Sequence, residues 1–87
     1  MDEYLLRQDM ATIIYRTTEK YGTKLTDKPV LDFVDASDID GYASEAVSAL
    51  VGAKAVSGDE NYCFLPKTNA NFAEACKILY YIMLKNT

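Results

Sequence analysis

The chain has no histidine and no tryptophan, and only two cysteines, in 87 residues. Without histidine a common general base is missing. No Ser, Cys or Lys has an evident base and orienting group beside it, so no enzymatic constellation is legible. Two thiols, Cys63 and Cys76, are too few for the disulfide framework of a small secreted domain. With no histidine beside them they also argue against structural zinc. Basic residues do not cluster, which excludes the cationic footprint that a nucleic-acid backbone requires. No apolar run approaches the ~20 residues of a membrane span. The N-terminal MDEYLLRQDM is acidic and amphipathic, unlike a secretory signal; the signal of an exported parent protein is expected outside this chain.

What is present is an ordinary globular balance, 49% hydrophobic and 25% charged, which argues against disorder. The net charge of −4 is spread along the chain, with acidic residues denser over 32–45. The stretch DASDIDGYASE resembles a calcium loop if Gly41 is set at the sixth position. The first and twelfth positions then fall on Ala36 and Val47, so the bidentate glutamate is missing and an EF-hand is rejected. No metal and no cofactor is expected.

Periodicity predicts three main helices, hence a mostly α fold. The first covers residues 3–21, with Leu6, Met10, Ile13, Ile14, Thr17 and Tyr21 as its stripe. Asp2 and Glu3 favour its positive end, and Gly22 is a good stop. Residues 22–34 read as a connector whose Val30, Leu31, Phe33 and Val34 pin it to a core; Pro29 disfavours helix there. A short turn around Ser37–Asp40 precedes a middle helix over 41–53, which buries Tyr42, Ala43, Ala46, Val47 and Leu50. Gly58 with Asp59 marks a tight turn, and Tyr62–Leu65 reads as a short extended piece. The last helix follows Asn71, whose side chain caps it while Glu74 reaches back in a capping box. Its stripe is Ala75, Cys76, Leu79, Ile82 and Met83, so Cys76 is expected to be a small buried side chain.

The two terminal helices are related. LRQDMATIIYR at 6–16 and NFAEACKILYY at 71–81 align 65 residues apart, pairing Asp9 with Glu74, Ile14 with Leu79 and Tyr15 with Tyr80. A unit ending in the same amphipathic helix points to a tandem array.

With FVD at 33–35, YASEAVSAL at 42–50, AVSGDENYCFLPK at 55–67 and NFAEACKIL at 71–79, the chain resembles the S-layer homology repeat. Tyr42 stands in the family's tryptophan position. Arg7 holds the signature arginine of the first closing helix, and Phe72 replaces it in the second. Lys54 stands where a glycine usually ends the middle helix; a left-handed residue there costs a side chain roughly 1 kcal/mol. The resemblance implies a closing helix of a preceding repeat at 1–22, a connector at 23–32 and one repeat at 33–87. It further implies non-covalent anchoring to a secondary polysaccharide, often pyruvylated, on the bacterial cell wall, and hence a location at the cell surface. Arg7, Asp35, Tyr42 and Gly58 are the glycan-binding residues it suggests. Arginine's planar fork suits a ketal carboxylate, and Tyr42 suits a sugar face. Each has a plainer role: surface cation, turn acceptor, core-edge ring and turn glycine. The alternative reading is a helical protein–protein interaction module without sugar affinity. Either way the apolar faces of the terminal helices are expected to meet neighbouring repeats, or each other in dimers or trimers.

Overall fold

A computed structural model describes residues 5–22, 25–58 and 60–85. The expected roles of Asp2, Glu3 and Asp59 lie outside the described residues. Three helices form: α1 over Arg7–Lys20, α2 over Gly41–Gly52 and α3 over Phe72–Lys85, with a 3-10 turn at Ala36–Asp38 between α1 and α2. α1 packs against both α2 and α3. Among the described residues there is no named strand, only an isolated bridge between Leu6 and Asn69.

α1 starts at Arg7 rather than at residue 3, and the reason is tertiary. Leu6 is extended (φ −74°, ψ 152°), and no side chain caps the helix. The first free N–H groups of the helix are instead taken by the loop before α3: Arg7 N donates to Thr68 O (2.9 Å) and Gln8 N to Pro66 O (3.1 Å). A segment distant in sequence thus does the work of a local cap. At the other end, Gly22 has φ 85° and donates to Glu19 O, the left-handed stop expected of glycine.

α2 ends in a complete Schellman motif without its glycine. Ala55 N donates to Leu50 O and Lys54 N to Val51 O, each at 2.9 Å, and Lys54 carries φ 63°. The connector crosses the same end of α2. A Cβ on Gly52 would fall on the Asp27 carbonyl and within 3.0 Å of Pro29 Cδ. One turn earlier, Ser48 Oγ donates to Pro29 O at 2.6 Å.

The core joins Met10 and Ile14 of α1, Ala43, Ala46, Val47 and Leu50 of α2, and Ile78 and Ile82 of α3 with Leu25, Ile39, Val56 and Phe64 from the connecting segments. Several expected burials fail. Val30 and Val34 are exposed, and the connector is pinned by Leu25, with Leu31 and Phe33 half-buried. Ile13 on α1, Tyr21 just after it and Tyr42 on α2 are also exposed. Cys76 is exposed because α3 turns Ile78 and Ile82 inward instead. Tyr62–Leu65 is not a strand piece: Tyr62 and Leu65 both have positive φ, which breaks an extended run. Asn71 Oδ1 does cap α3, accepting from Glu74 N at 2.7 Å. The Glu74 carboxylate does not complete the capping box; it pairs with Arg7.

Candidate functional site

Two of the four sequence-suggested residues, Arg7 and Asp35, hold the loop of one buried ring, Phe64; Gly58 reaches it through Phe33, and Tyr42 lies apart, beside Gln8. Arg7 Nε donates to Phe64 O (2.9 Å), and the guanidinium lies 4.9 Å from the Phe64 ring centroid. Asp35 accepts from two successive backbone groups of the same loop, Phe64 N on Oδ1 and Leu65 N on Oδ2, both at 2.9 Å. Phe33 stacks at 5.6 Å on Phe64, and Gly58 lies against Phe33: a Cβ there would sit 3.0 Å from its ring. The stack therefore runs Arg7, Phe64, Phe33, Gly58, with Asp35 fixing the loop. Arg7, Asp35 and Gly58 each have an internal structural role. Gly58 also lines a cleft of about 500 Å³ with Phe33, Lys54 and Tyr62.

Tyr42 joins this assembly through Gln8, the residue beside Arg7. Gln8 is fully buried, and its amide is saturated: Nε2 donates to Asp40 Oδ2 (2.8 Å) and to Tyr42 Oη (2.9 Å), while Oε1 accepts from Asp40 N (3.0 Å). Tyr42 Oη in turn donates to Asp9. That bond to a carboxylate raises the tyrosine's pKa, because the phenol must stay protonated to donate. Gln8 donation holds Asp40 below its usual carboxylate range, helped by Lys67 at 3.5 Å. The Tyr42 ring remains 57% exposed, so its face stays open although its hydroxyl is engaged.

A second polar cluster flanks α2. Lys28 pairs with Glu45 at 2.6 Å and lies over the Tyr15 ring at 5.3 Å. Glu45 raises the lysine's pKa, and Lys28 lowers that of Glu45. Sequence reasoning missed Gln8, Asp9, Asp40 and Lys67. A glutamine beside the signature arginine carries no signal by itself; its partners at 40 and 42 lie too far along the chain for periodicity to link them.

A clamped arginine, an exposed tyrosine and a loop fastened across two helices describe a small helical module. Among the described residues no group of three or more His, Cys, Asp and Glu is placed to hold a metal ion, and no helix is long and apolar enough to cross a membrane. Residues 32–76, just over half of the chain, match the S-layer homology domain, and the chain belongs to that family. Its members are cell-wall anchoring modules associated with the cell surface. No curated protein and no solved structure gives a significant match to the chain.

Proposed function

We infer that this chain anchors a parent protein to the cell wall by gripping an anionic, pyruvylated secondary polysaccharide. In this reading residues 1–22 close a preceding unit, 23–32 connect, and 33–87 form the next unit. The observation that carries it is the Arg7–Glu74 pair: the signature arginine already holds a carboxylate, at a side chain that is still 16% exposed. With Nε committed to Phe64, a sugar carboxylate enters by displacing Glu74 and taking the end of the guanidinium in two parallel hydrogen bonds. The open face of Tyr42 stacks on the sugar ring, Asp35 accepts from its hydroxyls, and Gly58 offers side-chain-free backbone at the adjoining cleft.

Co-sedimentation with purified cell-wall sacculi, before and after chemical removal of pyruvyl groups, tests this. Binding is expected to vanish on depyruvylation. Glu74→Gln is expected to raise affinity about three- to tenfold by freeing the arginine, and Arg7→Lys to lower it by about tenfold. Binding that survives depyruvylation, or ignores both substitutions, rejects the arginine–ketal grip.

A second reading rests on a different observation. α3 exposes Phe72, Tyr80 and Leu84, which favours a helical interaction module that meets neighbouring units or self-associates as a dimer or trimer. Concentration-dependent sedimentation without any affinity for sacculi supports this reading over the first.

A further inference from the structure

Of the four glycines, three answer to the fold. Gly22 has φ 85°, and a Cβ on Gly52 or Gly58 would crowd the Asp27 carbonyl or the Phe33 ring. Gly41 answers to nothing of the kind: its φ is not positive, and a Cβ there would meet nothing within 4 Å. It opens α2, where alanine is the better helix former. The residue before it is Asp40, and this is the one Asp-Gly step in the chain; no Asn-Gly step occurs.

An aspartate followed by glycine is open to attack by the next backbone nitrogen, because no side chain shields that nitrogen and the backbone turns freely there. Asp40 and Gly41 are both exposed, so water reaches them. Asp40 is extended (φ −64°, ψ 149°), and its side chain does not cap α2. Gly41 N is the first of the helix and has no carbonyl of its own helix to bond. The Asp40 carboxylate is spent across the interface with α1 instead. Gln8 grips the residue at both ends, donating from Nε2 to Oδ2 (2.8 Å) and accepting from Asp40 N on Oε1 (3.0 Å). Lys67 stands 3.5 Å from Oδ1. At this ψ, Asp40 Cβ and Gly41 N are far from the eclipsed arrangement that a five-membered ring between them needs. The first turn of α2 must therefore open before the two groups meet.

We propose that Asp40–Gly41 is a spontaneous modification site, at which aspartate isomerises to isoaspartate when the first turn of α2 opens, and that the grip of Gln8 sets its pace. Gly41 N bonds to Asp40 Cγ, the Cγ–O bond breaks, and the amide proton leaves with the hydroxyl as water. Water then adds back and cleaves either C–N bond of the ring. Cleavage at Cγ restores aspartate. Cleavage at the former main-chain carbonyl leaves isoaspartate, with the chain running through Cβ and Cγ and the carboxylate on Cα. Atoms balance over the two steps, and no oxidant or reductant enters. Gln8 restrains the reaction a second way: its donation keeps the Asp40 carboxyl ionised, and a carboxylate is a poorer electrophile than the acid. In the product the backbone ahead of α2 is one methylene longer. Asp40 N and the carboxylate then no longer meet Gln8 together, so α1 is uncoupled from α2 at the buried amide. Nothing in this chemistry depends on glycan binding or on neighbouring units.

The folded chain is incubated for weeks at neutral pH and physiological temperature. Isoaspartate is counted by enzymatic methylation with labelled S-adenosylmethionine and located by proteolytic mapping. It is expected at Asp40 about tenfold or more above Asp35 and Asp38, which precede alanine and isoleucine. Gly41→Ala is expected to lower the rate about tenfold while melting no lower than the parent, since its Cβ meets open space. Gln8→Met is expected to raise it about tenfold by releasing the grip. Should that variant not fold, the parent chain is compared folded and in urea, and the unfolded chain is expected to isomerise about tenfold faster. The isoaspartate form, separated by reversed-phase chromatography, is expected to unfold at a lower urea midpoint than the unmodified chain. An Asp40 that isomerises no faster than Asp35 or Asp38, or a rate that Gly41→Ala leaves unchanged, overturns the site. A rate indifferent to release of the Gln8 grip overturns the restraint, and equal urea midpoints overturn the uncoupling.

Discussion

The Arg7 guanidinium in the first turn of α1 pairs with the Glu74 carboxylate in the first turn of α3, 67 residues away. The same arginine bonds the Phe64 carbonyl and covers the Phe64 ring. It therefore ties both terminal helices to the loop between α2 and α3. Arg7→Ala is expected to cost about 2–3 kcal/mol, since a charge-assisted bond and a ring contact are lost together. Glu74→Gln should cost under ~1 kcal/mol, because the pair is partly solvated. Urea unfolding midpoints measure both; an Arg7→Ala chain as stable as the parent would remove the clamp from this account.

Gly52 sits within α2, where alanine would ordinarily stabilise by up to ~1 kcal/mol. Here the added carbon meets the Asp27 carbonyl and Pro29. Gly52→Ala is therefore expected to destabilise by about 2–3 kcal/mol, opposite in sign to helix propensity. Thermal melts decide the sign directly.

Lys54 holds a left-handed conformation that glycine adopts freely. Lys54→Gly is expected to stabilise by about 0.5–1 kcal/mol, raising the melting temperature by roughly 2–8 °C in a domain of this size. Lys54→Ala keeps the strained backbone and should leave the melting temperature unchanged.

Asp40, held low by Gln8, and Glu45, held low by Lys28, bind fewer protons in the folded chain than in the unfolded one. Their contribution is present above their ordinary values of 3.8 and 4.5 and is lost as pH falls through the depressed folded values. Tyr42 runs the other way: raised chiefly by Asp9, it contributes below its ordinary 10.0 and loses that contribution as pH rises through the higher folded value. Unfolding midpoints should be flat near neutrality and fall at both ends. Asp40→Asn and Glu45→Gln should flatten the acid limb, and Tyr42→Phe should soften the alkaline one. An acid limb unchanged in the two carboxylate variants would assign it to other groups.

Much of the backbone plan was legible in local chemistry. The Asn71 cap, the Gly22 stop and the span of the middle helix all depend on residues within a few positions of one another, whereas the left-handed turn at Lys54 came only from the family resemblance. Contacts decided by distant partners were not legible. Glu74 has the spacing of a capping-box residue, yet a charged partner from α1 outcompetes a backbone N–H for it. Cys76 has the periodicity of a core residue, but periodicity cannot say which of two apolar faces finds a neighbour. The family resemblance suggests Arg7 and Asp35 for glycan chemistry; what the folded chain reveals is that both hold the Phe64 loop.

The saturated amide of Gln8 acts as an alignment pin. Sliding α1 along α2 by one residue would strand its donors and acceptor in a dry interior, at a loss of about 1–3 kcal/mol for each orphaned group. Slippage is thereby made all-or-none. A pull along α1 is therefore expected to meet the three bonds together rather than one after another.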